Sequence, residues 1–225
     1  MWNLKIKLGH GWIRIKEKEN ACVLTFHMSK GIIKFVESIN GYLRTPKLYK
    51  FNIIIDYLNK KYALYILKYG EDISELYSNN WFGGFIDADG GFYVRYTKST
   101  KLIIASVLTI EQRMIDSISK LTYESLFLKI ANFLNTKFET TKHNGKFYYL
   151  VRGYNRISLN IILHYFNEFN LYSSKYLDYY NWAIVAKFLL NGTAYFIENI
   201  NKIYELKNSM NNKRIIFKWD HLKYL

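Results

Sequence analysis

The sequence predicts an α+β fold in which antiparallel strands pack one face against helices and leave the other face open to a partner. The segment FYVRYT, residues 92–97, alternates apolar and polar side chains as a half-buried strand does. Asn144-Gly145 separates two runs rich in aromatic and β-branched residues, which is typical of a two-residue hairpin. Apolar stretches of helical length follow at roughly 156–167, 174–190 and 196–210.

The elements of this fold can be assigned in chain order. A helix is predicted to begin near Trp81, because residues 78–80 (Ser-Asn-Asn) are common helix N-caps. Gly90 and Gly91 are predicted to end it, since glycine is frequent just past a helix C-terminus. The strand FYVRYT comes next, and KLIIASVLTIEQR (101–113) is predicted as its neighbour. The alternation puts Phe92, Val94 and Tyr96 on one face of the strand and Tyr93, Arg95 and Thr97 on the other.

Two stretches of the chain resemble each other, residues 29–52 and residues 156–181. Each has a polar opening, an apolar run of helical length and an aromatic-rich end. Three pairs of landmarks follow in the same order: Asn40 and Asn167, Lys47 and Lys175, and Asn52 and Asn181. We interpret this order as a duplication. It predicts a truncated first copy at 1–67, a linker at 68–79 and a complete second domain at 80–225.

The composition is strongly basic, with 32 Lys and Arg against 18 Asp and Glu and a net charge of +14. Such a charge favours a nucleic-acid backbone or an anionic membrane as partner, although a generic basic surface has the same balance. Because no apolar run approaches the ~18 residues of a membrane span, we expect no membrane anchor. The single cysteine, Cys22, excludes an internal disulfide and a cysteine-based zinc site.

Two aspartates, Asp87 and Asp89, stand beside a glycine pair in this basic chain. A calcium-binding loop is excluded, because its fifth and twelfth positions would fall on Gly91 and Lys98. Residues two apart on a helix point to nearly opposite sides, so the two carboxylates cannot share one ligand. Asp89 would lie at the negative end of the helix, where the residues alone leave two interpretations, a divalent metal ligand or an ordinary C-terminal acid.

The segment FGGFIDADG, followed by GFYVRY, resembles the LAGLIDADG motif. The segments IEQRMID, NLYSSKYLDYYNW and MNNKRIIFKWDHL are similar to landmarks in the second half of two-motif LAGLIDADG homing endonucleases and maturases, and ENACVLTF and INGYLRTPK to the end of the first half. The resemblance implies a saddle of antiparallel strands in the DNA major groove and paired motif helices that each deliver one acid to divalent metals. Independently, Gly84 and Ala88 are small and four residues apart, which predicts a helix face that another backbone approaches closely.

The resemblance also implies roles for individual residues. Asp89 would bind the metal, with Mg²⁺ as the expected ion, and the Gly90 carbonyl would help, whereas Asp87 would make structural hydrogen bonds. Gln112 matches a polar residue that organises active-site water, and Arg156 is the best match for a basic residue near the scissile phosphate. The residues matched to the DNA-binding face are Tyr93, Arg95, Thr97, Lys137, Thr141, Lys146 and Arg152.

For some residues a structural role competes with a functional one. Arg95 either contacts a guanine in a bidentate manner or is a solvated strand arginine. Lys175 either touches the DNA backbone or caps a helix. His143 is expected to be simply exposed beside the hairpin, and we assign no role to His164 or His221.

The first motif is absent, since residues 1–55 contain no aspartate. The chain is therefore interpreted as the tail of a longer product, as a protein that recruits a second chain, or as a decayed remnant. The leading functional hypothesis is a site-specific, metal-dependent DNA endonuclease for intron homing. The alternatives are a maturase that binds group I intron RNA, and an inactive fragment. Because such proteins are commonly encoded in organellar introns and the residue usage suggests an AT-rich genome, we expect a mitochondrial location.

Overall fold

The computed structural model describes residues 2–16, 21–26 and 29–223. These residues group into two compact units, one formed by residues up to 73 together with 117–120, the other by 74–116 and the residues from 121 onward. The division falls inside the predicted linker at 68–79. Of the first-half landmarks, Glu19 and Asn20 of ENACVLTF lie outside the described residues. That the first unit is a truncated copy of the second stays a prediction.

Within the described ranges, the first unit is a two-stranded antiparallel sheet with three helices. The elements in chain order are α1 (Trp2–Leu8), β1 (Trp12–Lys16), β2 (Ala21–Thr25), α2 (Ser29–Ile39) and α3 (Lys47–Tyr62). A small core joins α2 to α3 through Val36, Phe51, Ile55 and Leu58. Arg44, buried in the turn between these helices, forms an ion pair with Asp72 at 2.8 Å.

The second unit alternates helices with pairs of strands, as the sequence predicted, and the α+β class is confirmed. Its elements are α4 (Trp81–Asp89), β3 (Gly90–Lys98), β4 (Leu102–Arg113), α5 (Glu124–Phe133), β5 (Phe138–His143), β6 (Lys146–Gly153), α6 (Arg156–Glu168), α7 (Lys175–Leu190) and α8 (Ile197–Asn208). The three predicted C-terminal helices correspond to α6, α7 and α8. No helix in the described part of the chain is long and apolar enough to cross a membrane.

The sheet of the second unit is antiparallel throughout, with strand order β3-β4-β6-β5. Asn144 and Gly145 join β5 to β6 with φ angles of 49° and 75°. Two successive positive φ angles are those of a type I′ turn, which suits the right-handed twist of a hairpin. The predicted hairpin is therefore confirmed, and it fixes the register that pairs His143 with Lys146.

One face of this sheet forms the core. Phe92, Leu108, Ile110 and Val151 point to this face and are almost fully buried. The rings of Phe92 and the fully buried Trp182 of α7 lie 5.5 Å apart between centroids. Burying a large apolar side chain contributes roughly 1.5–3 kcal/mol, so this face holds the helices on one side of the sheet. The opposite face remains accessible.

Candidate metal site and nucleic-acid face

α4 is a short apolar helix held at its first turn by α6. The N-cap residue is Asn80, whose side chain makes no capping bond, and the Asn79 side chain before it accepts the Trp81 N–H at 2.9 Å. The Gly83 N–H donates to the Tyr165 hydroxyl oxygen at 3.0 Å, and that hydroxyl donates to the Asn79 carbonyl at 2.8 Å. Phe82 and Ile86 are fully buried. The helix is thereby fixed at its N-terminus, and its C-terminus projects beside the sheet.

The two glycines in the middle of α4 have different surroundings. A Cβ on Gly83 would collide with the Asn80 side-chain oxygen, so a larger residue there would displace the Asn80 side chain. Gly84 is exposed, and a Cβ added to it would meet no described atom within 4 Å. Ala88, one turn later, is exposed as well. The small-residue face predicted from Gly84 and Ala88 is therefore accessible to another backbone within the described structure.

Gly90 follows α4 directly and begins β3. Its φ and ψ are −84° and 166°, so it is extended rather than left-handed. The prediction that the glycine pair ends the helix is therefore confirmed, but the helix does not end through the left-handed glycine that is common there. Glycine is needed because a Cβ here would come within 2.8 Å of the Ile86 side chain. The close approach lets the chain pass from helix to strand without a loop.

Asp87 fastens the end of α4 to the segment before α7. Its carboxylate accepts the Tyr172 N–H at 2.7 Å, the Ser173 N–H at 3.2 Å and the Ser173 hydroxyl at 2.5 Å. These bonds occupy both oxygens. The geometry fits the structural role expected for Asp87, because three of the roughly four acceptor sites of its carboxylate are used within the protein.

Asp89, on the other side of the helix, is exposed and meets Gln112. The Gln112 side-chain nitrogen donates to Asp89 Oδ2 at 3.3 Å, a long bond that leaves the carboxylate open to further ligands. Tyr123 lies near this group. Burial, reinforced by the charges of Asp116 and Asp89, raises the pKa of Tyr123 to about 12, so its phenol stays protonated at neutral pH. The structure thus brings together Asp89 and Gln112, which the resemblance assigns separately to the active site, beside a neutral phenol.

Lys175 is the basic residue that reaches the C-terminus of α4. Its ammonium donates to the carbonyls of Ile86 at 3.1 Å and Ala88 at 3.0 Å, which are terminal carbonyls of the helix. A cation is favourable at this negative end. Burial lowers the pKa of Lys175, while the nearby aspartates oppose that shift. Of the two roles left open by the sequence, the structure shows the helix cap.

The open face of the sheet carries the residues predicted to contact DNA. In the β3–β4 register, Tyr93 pairs with Val107 and Arg95 pairs with Ala105. These residues point to the face of the sheet opposite the core. Tyr93, Arg95 and Thr97 are exposed, and the alternation predicted for this strand is confirmed. Thr141, Lys146 and Arg152 share this face by strand register. Lys137 is exposed immediately before β5 and continues the same alternation.

The region that contains Asp89, Gln112 and Lys175 is similar to known proteins. The family model described as LAGLIDADG endonuclease matches residues 82–186, which begin in α4 and end in α7. A probable intron-encoded DNA endonuclease aI1 of Mycosarcoma maydis is 37% identical over 94 residues, which cover 41% of this chain and 78% of that protein. The chain belongs to the LAGLIDADG endonuclease family.

Other LAGLIDADG relatives match nearly the whole chain. The intron-encoded DNA endonuclease aI3 of Saccharomyces cerevisiae is 25% identical over 95% of this chain, which spans 60% of the yeast protein's length. Among solved structures, the LAGLIDADG homing endonuclease I-GzeII in complex with its DNA target superposes with a TM-score of 0.74 at 19% identity, covering 95% of this chain and 84% of that one. The meganuclease I-SmaMI bound to DNA gives 0.70 at 21% identity, covering 95% and 83%. These structures confirm the predicted fold.

In this LAGLIDADG chain, the structure does not bring Arg156 to the motif helix. Arg156 is the exposed first residue of α6, whose 13 residues extend about 20 Å before the chain turns back towards α4. β6 also runs away from Gln112 as it approaches Arg156, because Tyr149 pairs with Gln112 and Gly153 with Leu108. The sequence does not show which of the two basic residues lies near α4, because Arg156 and Lys175 each begin a helix. Lys175 lies at the end of α4 instead.

Sequence reasoning also missed contacts of two histidines. The expectation that His143 is merely exposed is incomplete, because its Nε2 lies 3.0 Å from Glu111 Oε1. His221, to which no role was assigned, stacks on Tyr176 with ring centroids 4.1 Å apart. Glu111 and His143 face each other across β6, and no local pattern in either strand signals that pairing.

The donor set at the end of α4 fits a hard divalent cation. Asp89 offers an exposed carboxylate, and Gln112 turns its side-chain amide nitrogen, a hydrogen-bond donor, towards it. Mg²⁺ binds through one or two carboxylates, retains several waters and takes phosphate oxygens as further ligands. Among the described residues, no three His, Cys, Asp or Glu side chains form a metal cluster, so the protein does not enclose an ion here by itself. The site suits a metal shared with a phosphate.

Proposed function

We propose that this chain is the DNA-recognising and metal-bearing part of an intron-encoded, site-specific DNA endonuclease that hydrolyses phosphodiester bonds. The observation that carries the proposal is the exposed Asp89 carboxylate, which contacts Gln112 of β4 where α4 passes into β3. A carboxylate that made no use of a cation would be unfavourable at the negative end of a helix. It would also repel the polyanion that a protein of charge +14 attracts.

The open face of the sheet supports DNA as the substrate. A twisted antiparallel ribbon fits the major groove, where base edges carry a distinct pattern of donors and acceptors. Arg95 is exposed there without an ion-pair partner among the described residues, so its guanidinium is available for a guanine edge. Tyr93, Thr97, Lys137, Thr141, Lys146 and Arg152 would supply the remaining contacts. The I-GzeII and I-SmaMI structures contain DNA, which is a property of those proteins and a precedent for this one.

Asp89 and the Gly90 carbonyl would hold Mg²⁺, which supplies charge stabilisation at the phosphate and a nucleophilic water at neutral pH. Gln112 would orient a water molecule next to Asp89, and the protonated Tyr123 would remain a hydrogen-bond donor. Lys175 would add positive charge near the phosphate while fixing the helix end. Asp87 would act only by holding the segment 172–173 in place.

A complete enzyme of this kind needs a second acid, and the order of elements in the first unit suggests which segment would carry it. The order helix, hairpin, helix, helix in α1–α3 repeats the order in α5–α7, and Lys47 and Lys175 each begin the last helix of the series. By this correspondence the described residues of the first unit contain no counterpart of α4, β3 and β4. We therefore take 1–67 as a truncated domain and 80–225 as a complete one. A helix–strand–strand segment, encoded in frame upstream or supplied by a second chain, would pack its helix on Gly84 and Ala88.

A maturase function is the second candidate. The intron-encoded RNA maturase bI4 of Saccharomyces cerevisiae is 33% identical over 101 residues, which cover 44% of this chain and 14% of that protein. A maturase would use the basic surface to bind intron RNA and would not need Asp89. The residue usage suggests an AT-rich genome, and a cox1 intron-2 protein of Schizosaccharomyces pombe is 27% identical over 80% of this chain. We propose a mitochondrial location.

The test is Mg²⁺-dependent cleavage of the intronless target by the chain supplied with a second motif helix, either fused at its N-terminus or on a second chain. Asp89→Asn should abolish cleavage and leave DNA binding intact, whereas Glu124→Gln, which removes an exposed negative charge from the first turn of α5, should cleave normally. A matched assay measures splicing of the host intron. Splicing support that survives Asp89→Asn, without any cleavage by the wild type, would favour the maturase over the endonuclease.

A further inference from the structure

Glu111 is an acid on the face of the sheet that carries the basic and aromatic residues. Its side chain is 38% exposed, and its Oε1 accepts the Thr141 hydroxyl at 2.7 Å. The His143 Nε2 lies 3.0 Å from the same oxygen. Both partners are on β5, whereas Glu111 is on β4, so the contacts reach across β6. One oxygen of the carboxylate is therefore held in a fixed direction.

The second oxygen, Oε2, has no protein partner among the described residues. An ionised carboxylate has about four acceptor sites, and the observed contacts occupy only those of Oε1. Glu139, on the same face, differs because Arg152 lies 3.3 Å from its Oε2 and forms an ion pair with it. Glu139 therefore compensates the positive charge of Arg152. Glu111 presents an oriented acceptor that no lysine or arginine neutralises.

An oriented acceptor on a DNA-facing surface restricts what can lie opposite. Phosphates, guanine O6 and N7 and thymine O4 are acceptors and would repel it, whereas the exocyclic amino groups of cytosine and adenine donate. Adenine presents its N7 acceptor beside that amino group, and cytosine presents a carbon-bound hydrogen. Cytosine N4 is thus the base-edge group that a carboxylate accepts with least conflict.

We propose that Glu111 is a specificity-determining residue that accepts a hydrogen bond from a cytosine amino group in the major groove, with Thr141 and His143 holding it in position. The proposal rests on the proposed DNA-binding function and deepens it. It assigns one base pair of the target to one side chain. The bond would favour cytosine over the other bases at that position by about tenfold.

The experiment is selection of bound duplexes from a randomised DNA library by the full chain, with Ca²⁺ in place of Mg²⁺ to prevent cleavage. The wild type should enrich a sequence with cytosine at one position, and Glu111→Gln should lose about tenfold in preference at that position alone. The control is Glu139→Gln, which should leave that preference unchanged and strengthen binding overall, because Arg152 is released.

The outcomes separate this inference from the function on which it rests. An enriched sequence that Glu111→Gln leaves unaltered would mean that Glu111 only braces β5, and the inference would be overturned while the DNA-binding function stood. Adenine rather than cytosine at the affected position would overturn the base assignment. If the wild type enriches no sequence, the proposed function fails and this inference fails with it. Thr141→Val should weaken the cytosine preference partially, because the positioning bond is lost.

Discussion

Asp87 accepts the Ser173 hydroxyl at 2.5 Å and so binds the end of α4 to the segment that precedes α7. Asp89, two residues later, points to the other side of the helix and contacts Gln112. One carboxylate is thus used for structure and the other is open to ligands. This division explains why an acidic pair can stand in a strongly basic chain.

Asp87→Ala is expected to destabilise the protein by about 2 kcal/mol, because two backbone N–H groups and a hydroxyl lose their acceptor. Asp89→Ala should be neutral or stabilise slightly, since it removes a negative charge from a helix C-terminus. Urea unfolding of both variants measures the difference. Equal destabilisation by the two substitutions would contradict the division of roles.

The glycines of α4 provide a matched pair of substitutions. Gly83→Ala should destabilise the chain by roughly 1–3 kcal/mol, because its Cβ would overlap the Asn80 side chain. Gly84→Ala meets open space and should stabilise the helix by roughly 0.5–1 kcal/mol. Thermal unfolding measures both. Gly84→Leu should leave the chain folded but prevent its assembly with a second motif helix. Sedimentation of the variant mixed with a protein that carries this helix would detect the loss of assembly.

Lys175→Met should cost about 1–2 kcal/mol, because the carbonyls of Ile86 and Ala88 lose their charged donor. The control is Lys187→Met, which removes an exposed lysine from the same helix. Unfolding experiments compare their stabilities, and cleavage assays compare their rates. Cleavage that is unaffected in Lys175→Met would exclude a role for this charge near the phosphate.

Alkaline pH should destabilise the fold through the buried Tyr123 and the partly buried Tyr179. Burial is the main cause that raises the pKa of Tyr123 and of Tyr179 to about 12, against 10.0 for an exposed phenol. The unfolded chain therefore loses these protons before the folded protein does, so stability that is complete below pH 10 is lost between pH 10 and 12. Phenolate absorbance should show late titration of these groups in the folded protein. Tyr123→Phe should reduce the loss of stability between pH 10 and 12. If the substitution leaves the dependence of stability on pH unchanged, Tyr123 does not cause that loss.

Much of the second unit was predictable because its signals are local. The alternation in residues 92–97 and the Asn144-Gly145 turn depend on neighbouring residues alone, and so did the opposite orientations of Asp87 and Asp89. Lys175 and Ala88 are 87 residues apart, and Glu111 and His143 are 32 apart. No periodicity encodes such contacts. Gly90 illustrates a different limit, since glycine frequency does not distinguish a left-handed cap from close packing against Ile86.

The central claim is that Asp89 holds a divalent cation at the end of α4, and Mn²⁺ titration monitored by NMR tests it most directly. With duplex DNA present, substoichiometric Mn²⁺ should broaden the side-chain amide signals of Gln112 and spare those of Asn181 in α7. Asp89→Asn should abolish the broadening. Gln112 signals that stay sharp in the wild type, or broaden equally in Asp89→Asn, would contradict the account.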